Sequence, residues 1–144
     1  MLVQQILKVK GTSAVETVAP GTPVSEAAKV LADKRIGTVV ISDDGKTPLG
    51  ILSERDIVRE LAAQGGECLA QKVDTYMTTE LVTCTLKDTA DGVLARMTQG
   101  RFRHMPVVED GEMIGLITLG DVVKARLDEL SMEKDALEGM IMGR

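Results

Sequence analysis

Residues 50–56 read GILSERD, a short apolar run that passes through a serine into a segment of helical composition. Residues 115–121, GLITLGD, repeat this joint sixty-five positions later. The apolar run predicts a strand, and a hydroxyl residue with an aspartate three positions on predicts the start of a helix. A joint that returns at a fixed distance indicates that the chain contains two copies of one unit.

The repeat extends upstream from both joints. At an offset of 66, residues 15–31 (VETVAPGTPVSEAAKVL) align with residues 81–97 (LVTCTLKDTADGVLARM). The apolar positions of both segments follow the spacing of an amphipathic helix. We expect Thr22 with Pro23 to start the first of these helices and Asp88 to start the second.

The segment between helix and joint is duplicated too. Residues 35–45 (RIGTVVISDDG) align with residues 101–111 (RFRHMPVVEDG), and each is a short run of strand formers that ends at an Asp-Gly turn. Gly65 and Gly66 are expected to end the last helix of the first copy. Each copy therefore reads strand, helix, strand, strand, helix, which predicts the α+β class.

Length and composition predict one compact unit. The chain has 144 residues, of which 44% are hydrophobic. A half of about sixty residues buries too little surface to be stable alone, so the two copies should pack face to face. The predicted division is residues 1–65 for an N-terminal segment with the first copy, 66–127 for a linker with the second copy, and 128–144 for a helical extension.

Charge and aromatic content narrow the choice of partners. The net charge is −5, and Tyr76 and Phe102 are the only aromatic residues. Nucleic-acid partners are disfavoured, because their binding relies on many cations and on aromatic stacking. Binding of one small phosphate-containing ligand remains compatible with this charge. The N-terminal sequence does not resemble a secretion signal, and no apolar run approaches the length of a membrane span, so we expect a cytoplasmic protein without a membrane partner.

Cys68 and Cys84 are far apart and lie outside any CxxC motif, and the chain has one histidine. Zinc sites need about four soft ligands, so we predict no metal site. The cysteines are expected to be small, partly buried apolar residues in a reducing compartment.

The two joints allow two interpretations. Ser53 with Asp56, and Thr118 with Asp121, have the spacing of a capping box, which satisfies backbone donors at a helix start. The same geometry places a hydroxyl, free amides and the positive end of a helix dipole where a phosphate can bind, with a carboxylate in reach of ribose hydroxyls. Both interpretations stay open at this stage.

The duplicated unit resembles a CBS domain pair, also called a Bateman module. The resemblance rests on TVAP in the first copy, YMT before the second, RHMPVVEDG within it, and the two joints, and it spans about residues 11–127. In this family the repeats pack about a pseudo-twofold axis and leave two clefts for adenosine-containing ligands. The resemblance therefore implies AMP, or otherwise ADP, ATP, NAD or S-adenosylmethionine, as the ligand, with no catalytic cofactor.

The resemblance also implies roles for individual residues. Asp56 and Asp121 would bind ribose, and Ser53 and Thr118 the phosphate or ribose. One cleft would use Gly37 and Thr38, with Arg55 for positive charge, and the other would use Arg103 and His104. The remaining implied contacts, mostly around adenine, are Met77, Thr78 and Val82 beside Asp56, Thr12, Glu16 and Val18 beside Asp121, and Pro106 in the second copy.

The clefts are not expected to be equivalent. Arg103 and His104 make the cleft of Asp121 the more cationic, so phosphate affinity should concentrate there. His104 could be a structural residue, but its place beside Arg103 favours a phosphate contact, and its charge changes near neutral pH, which would let pH tune that contact.

The C-terminal segment predicts a long helix. Its apolar residues recur at alternating spacings of four and three, as in a coiled coil with one lysine in the seam; the positions are Val123, Leu127, Leu130, Lys134, Leu137 and Ile141. The helix could fold back on its own domain or form a homodimer contact, and Ser131 could instead cap a second short helix.

Three classes of function fit in different degrees. A nucleotide-sensing module for signal transduction and energy sensing needs no catalytic residues. An enzyme is disfavoured, because the histidine has no evident nucleophilic partner. A structural dimerisation module would have no use for both aspartates together with Arg103 and His104.

Overall fold

The computed structural model describes residues 1–11 and 15–142. The first repeat consists of β1 (Thr17–Val18), α2 (Val24–Lys34), β2 (Thr38–Ile41), β3 (Gly50–Ser53) and α3 (Glu54–Gln64). β1 runs parallel to β2, and β2 pairs antiparallel with β3. The predicted order of elements is confirmed for this copy.

The second repeat consists of α4 (Ala90–Gly100), β4 (His104–Glu109), β5 (Glu112–Thr118) and α5 (Leu119–Ile141). Its predicted first strand is reduced to a single parallel bridge between Cys84 and Val107. The Thr83 carbonyl, next to this bridge, accepts a hydrogen bond from Arg96 at 2.9 Å. In a longer strand this carbonyl would be available to bond a neighbouring strand.

The helix starts agree with expectation at the joints and differ at α4. Asp88 does not cap α4; the cap is Thr89, whose hydroxyl accepts from the Gly92 amide at 3.0 Å. The Asp88 carboxylate binds the Thr85 amide and Arg96 instead. At α2 the N-cap position is Pro23 itself.

The two Asp-Gly turns also differ. Asp110 and Gly111, both with positive φ, form the two-residue turn between β4 and β5, as predicted. In the first copy Asp44 and Gly45 lie within a longer loop, where Asp44 accepts the amides of Lys46 and Thr47 at 2.8 Å. The Thr47 and Lys46 amides lower the pKa of Asp44 to about 2.

Two hydrophobic cores form, one for each repeat, and each is completed by a segment that precedes the other repeat. Helix α1 (Val3–Lys10) packs Val3 and Ile6 into the core of repeat two. A pair of 3-10 turns, Gly65–Ala70 and Val73–Thr75, packs Val73 into the core of repeat one. Equivalent backbone bonds hold the two segments, from Val3 to Asp88 at 2.9 Å and from Val73 to Thr22 at 2.8 Å. The halves are therefore related by the expected pseudo-twofold axis.

Helix α5 runs without interruption past Ser131, so the predicted second helix capped by Ser131 is wrong. Its first turns bury Val122 and Ala125, whereas from Leu130 to Ile141 nearly every residue is exposed. The fold-back interpretation is therefore wrong as well. No helix within residues 1–11 and 15–142 combines the length and apolar character needed to cross a membrane.

Candidate functional site

A cleft of about 760 Å³ lies between the two repeats. The first residues of α3 and of α5 both line it, so two helix N-termini meet there. Nine of the predicted site residues line this cleft: Gly37, Ser53, Arg55, Asp56, Thr78, Val82, Arg103, His104 and Thr118. Its volume is in the range that holds a ligand of nucleotide size.

Both joints form complete capping boxes. At α3, Ser53 Oγ accepts from the Asp56 amide at 3.2 Å, and Asp56 Oδ2 accepts from the Ser53 amide at 2.9 Å. At α5, Thr118 and Asp121 repeat this pattern at 3.1 and 3.0 Å. The capping interpretation is thus confirmed at both joints, and it leaves part of each carboxylate for another partner.

The further partner of Asp56 is an exposed side chain. Asp56 Oδ1 accepts from Arg59 at 3.0 Å, and 66% of the Arg59 side chain is accessible to solvent. Such an arginine is held weakly and can be displaced by a ligand. Asp56 therefore faces the cleft with an acceptor that a ligand hydroxyl can reach once Arg59 moves.

The further partner of Asp121 is a lysine from α1. Lys10 Nζ donates to Asp121 Oδ2 and to the Leu116 carbonyl, both at 2.9 Å. Burial raises the pKa of Asp121, but the Thr118 amide and Lys10 outweigh it, so the pKa lies below its usual value. The crevice beside Asp121 measures only about 70 Å³, which is too small for a nucleotide.

A contact beside the cleft joins the two repeats directly, although Thr38 itself does not line the cleft. Thr38 Oγ1 lies 3.1 Å from both ring nitrogens of His104, so one hydrogen bond crosses between the copies. Burial, followed by the nearby charges of Lys10 and Arg103, lowers the pKa of His104 against smaller opposing effects of Asp121 and Glu54. These effects favour the neutral form of the His104 imidazole.

Comparison with known proteins shows which family has this architecture. The CBS domain family model matches residues 7–63 and 73–128. The chain belongs to the CBS-domain family.

Relatives of this CBS pair include proteins that it covers over most of their length. The mitochondrial CBS domain-containing protein CBSX3 of Arabidopsis thaliana is 32% identical over 148 residues, which cover 98% of this chain and 72% of that protein. The crystal structure of the CBS-domain protein ATU1752 from Agrobacterium tumefaciens is 44% identical, with a TM-score of 0.83, and covers 88% of this chain and 99% of that one.

Two solved neighbours hold ligands. The CBS protein PAE2072 from Pyrobaculum aerophilum, complexed with AMP, is 25% identical with a TM-score of 0.77 over 92% of this chain and 99% of its own. The CBS pair of protein MJ0100, complexed with 5'-methylthioadenosine and S-adenosyl-L-methionine, is 25% identical with a TM-score of 0.77 over 90% and 98%. Ligands that contain adenosine are thus bound by CBS pairs with this fold.

In this CBS pair, two predicted site residues line a different cleft from the one expected. Arg103 and His104 were assigned to the cleft of Asp121, but they line the same cleft as Asp56. The reason is topological: His104 begins β4 beside Thr118, and the pseudo-twofold axis brings this point against Thr38 at the start of β2. Arg103, His104 and the Asp56 carboxylate therefore lie on one side.

The remaining predicted residues lie away from the lining of the large cleft. Glu16 forms an ion pair with Lys34 at 3.8 Å, and Val18 lies in β1. Met77 packs so closely over Gly50 that a Cβ there would collide with it. Pro106 is buried in β4 and accepts from the Cys84 amide. Thr12 is outside the described residues.

Several cleft residues were missed from the sequence. Arg59, Arg101, Phe102 and Glu80 line the cleft, and Lys10 reaches Asp121. Arg101 carried a usable signal, since it aligns with Arg35 and both adopt the left-handed conformation that ends a helix. Lys10 precedes the aligned segments, which begin at residue 15, so comparison of the two copies could not reveal it.

The cysteines are free thiols, and both are fully buried rather than partly buried as expected. Burial and the neighbouring Asp88 raise the pKa of Cys84 to about 11, which makes this thiol unreactive. Across the described part of the chain, no three His, Cys, Asp or Glu side chains are grouped to hold a metal ion.

Proposed function

We propose that this CBS pair is a regulatory module that binds one adenosine nucleotide, AMP before ADP, ATP, NAD or S-adenosylmethionine, in the 760 Å³ cleft between its repeats. One observation carries the proposal: the cleft joins an accessible ribose acceptor, Asp56, to arginines and two helix N-termini. A pair of CBS domains is generally regulatory rather than catalytic, and we propose no enzymatic activity.

The phosphate would bind at the α5 side of the cleft. Arg103 and Thr118 line this region together with the first residues of α5. A helix of 23 residues presents the positive end of its dipole there, although the Leu119 and Asp121 amides already donate to the Arg103 carbonyl and to Thr118. The cleft is also locally cationic, with four arginines against three carboxylates, in a chain whose net charge is −5. An anionic ligand would therefore be drawn to this part of the surface.

The ribose would bind to Asp56. The carboxylate keeps its capping bonds through Oδ2, while Oδ1 exchanges the exposed Arg59 for the two ribose hydroxyls. Charge-assisted bonds of this kind are about twice as strong as neutral ones.

The adenine would bind to the main chain of Val82. Thr78 was predicted for this role, but its amide and carbonyl already pair with Ile51 at 2.8 and 3.0 Å. Among the described residues, no main-chain partner bonds the amide or carbonyl of Val82. Its neighbouring donor and acceptor match the edge of adenine and oppose that of guanine, which presents its groups in the reverse order.

Signalling would follow from the position of the cleft. A ligand that contacts Asp56 in one repeat and Arg103 in the other favours one relative placement of the halves, so its binding can shift a conformational or oligomeric equilibrium. With AMP as the proposed ligand, the module would sense cellular energy. We propose the cytoplasm as the compartment, which the two free thiols support; fractionation of cells that produce the protein would check it.

Calorimetry with a nucleotide panel tests the proposal. We expect AMP to bind at one site per chain, more tightly than GMP or CMP, and to raise the unfolding free energy by about 2.7 kcal/mol at a hundredfold excess over Kd. Arg103→Ala should weaken AMP while leaving adenosine unchanged, because only AMP carries the phosphate. Equal affinity for AMP, GMP and CMP, or binding of none of the panel, would overturn the proposal.

A structural dimerisation module without a ligand is the second candidate. It is favoured by the capping boxes, which account for Ser53, Asp56, Thr118 and Asp121 without any ligand. Mass spectrometry of the denatured purified protein separates the candidates, since a co-purified adenine nucleotide supports the sensor.

A further inference from the structure

The His104 side chain belongs both to the cleft and to the contact between the repeats. His104 lines the cleft, and both nitrogens of its ring lie 3.1 Å from the Thr38 hydroxyl of the other repeat. Thr38 is only 5% exposed, so this contact is largely shielded from water. A change in the charge of the His104 ring would therefore act on ligand binding and on the contact between the halves together.

Charged residues from four segments influence the His104 ring in the ligand-free protein. Burial lowers the pKa of His104 most, followed by the charges of Lys10 on α1 and Arg103 before β4. Asp121 on α5 and Glu54 on α3 raise this pKa by smaller amounts. Asp121 accepts a hydrogen bond from Lys10 at 2.9 Å, which offsets its attraction for a charged His104. The other charged residues that line the cleft are Arg55, Asp56, Arg59, Glu80 and Arg101.

A phosphate in the cleft would reverse this balance. His104 pairs with Thr118 in the ladder between β4 and β5, so it lies next to the start of α5, where the phosphate of the ligand is proposed to bind. A phosphate monoester loses its second proton near pH ~6 and therefore carries close to two negative charges at neutral pH. Such a charge would offset the repulsion from Arg103 and attract a proton to the ring.

We propose that nucleotide binding is coupled to protonation of His104, so that the module responds to pH as well as to its nucleotide. This inference rests on the proposed function, because it needs a phosphate in the cleft. The imidazolium form has two N–H groups, one for the Thr38 hydroxyl and one for the phosphate. Because the bound state takes up a proton, the affinity for AMP rises as the pH falls. Adenosine, which has no phosphate, binds without this proton.

Titration of His104 by nuclear magnetic resonance tests the coupling directly. The chain has one histidine, so the signals of its imidazole need no further assignment. We expect the ring to titrate below pH ~6.5 in the free protein and with adenosine bound, and above pH ~7 when AMP saturates the cleft. A midpoint that AMP leaves in place, or that adenosine raises equally, would overturn the proposal.

Calorimetry in buffers of different ionisation enthalpy measures the protons exchanged. At about pH 7 the wild-type chain should take up about half a proton for each AMP, and its affinity should rise about threefold between pH ~7.5 and ~6.5. His104→Asn keeps an amide that can bond Thr38 but has no titratable ring, so both effects should be lost while AMP still binds. The ionisation of AMP itself is the same in both experiments, so it cancels in the comparison of wild type with variant.

The outcomes distinguish the coupling from the proposed function. AMP binding with equal proton uptake in wild type and His104→Asn would overturn the coupling and leave the nucleotide-binding module intact. Failure of AMP to bind the wild-type chain would overturn both. If His104→Asn does not fold, the magnetic resonance titration still decides, because it uses the wild-type chain.

Discussion

The joints at Ser53–Asp56 and Thr118–Asp121 have the same capping geometry but different surroundings. Asp56 faces a cleft of about 760 Å³ and holds the exposed Arg59, whereas Asp121 faces a crevice of about 70 Å³ and holds Lys10. The Lys10 ammonium group, which also binds the Leu116 carbonyl, donates to Asp121 Oδ2 and would compete with a ligand for this carboxylate. A duplicated motif can thus keep its local structure while a side chain from α1 changes the surroundings of one copy.

The largest expected difference concerns nucleotide affinity. Asp56→Ala should weaken AMP binding about tenfold to hundredfold, the value of about 1.5 to 3 kcal/mol expected for lost charge-assisted bonds. Asp121→Ala should change it by less than about threefold, because Lys10 keeps Asp121 from the ligand. Calorimetry on both variants measures this, and a larger effect of Asp121→Ala would reverse the comparison.

For the unfolding free energy we expect the opposite order, with the larger loss in Asp121→Ala. Asp121→Ala removes a capping box and leaves Lys10 without its carboxylate, so we expect a loss of about 2 kcal/mol. Asp56→Ala removes a capping box and only an exposed ion pair, so we expect a loss of about 1 kcal/mol. Urea unfolding without nucleotide gives both values. Equal losses would show that Lys10 contributes little.

Lys10 and Arg59, the cations bound to the two aspartates, should differ in their effect on the unfolding free energy. Lys10→Met should lower the unfolding free energy by about 1 kcal/mol, because its ammonium group bonds two partly buried acceptors. Arg59→Met should change it by less than about 0.5 kcal/mol, as usual for exposed pairs. Thermal unfolding of the two variants side by side is the measurement, and indistinguishable midpoints would contradict the expectation.

The smallest expected effect is a pH dependence at the contact between the repeats. The pKa of His104 is lowered in the folded chain, so below the unfolded value of about 6.5 the unfolded chain binds a proton that the folded chain does not. Stability should therefore fall as the pH drops from 7.5 to 6.0, by at most about 0.8 kcal/mol from this residue. His104→Asn should remove that part of the decrease; an unchanged pH profile would contradict the assignment.

Most of the fold could be predicted because it depends on local patterns. The helix starts at Ser53 and Thr118 and the turn at Asp110 need only neighbouring residues. The errors arose where a competing local contact existed: Thr89 lies one residue beyond Asp88 and caps α4, while Asp88 binds Arg96. Within the candidate site, Ser53, Asp56, Thr78 and Arg103 were found because repeats and family resemblance mark them.

The sequence by itself determined the duplication, the two capping boxes and the chemistry available at each joint, because these follow from spacing along the chain. Only the tertiary structure decided that Arg103 and His104 share the cleft of Asp56, and that Lys10 reaches Asp121. Both outcomes depend on contacts between residues more than thirty positions apart. Such contacts are set by how the two halves pack about their axis, and no local sequence pattern specifies which side chains this packing brings together.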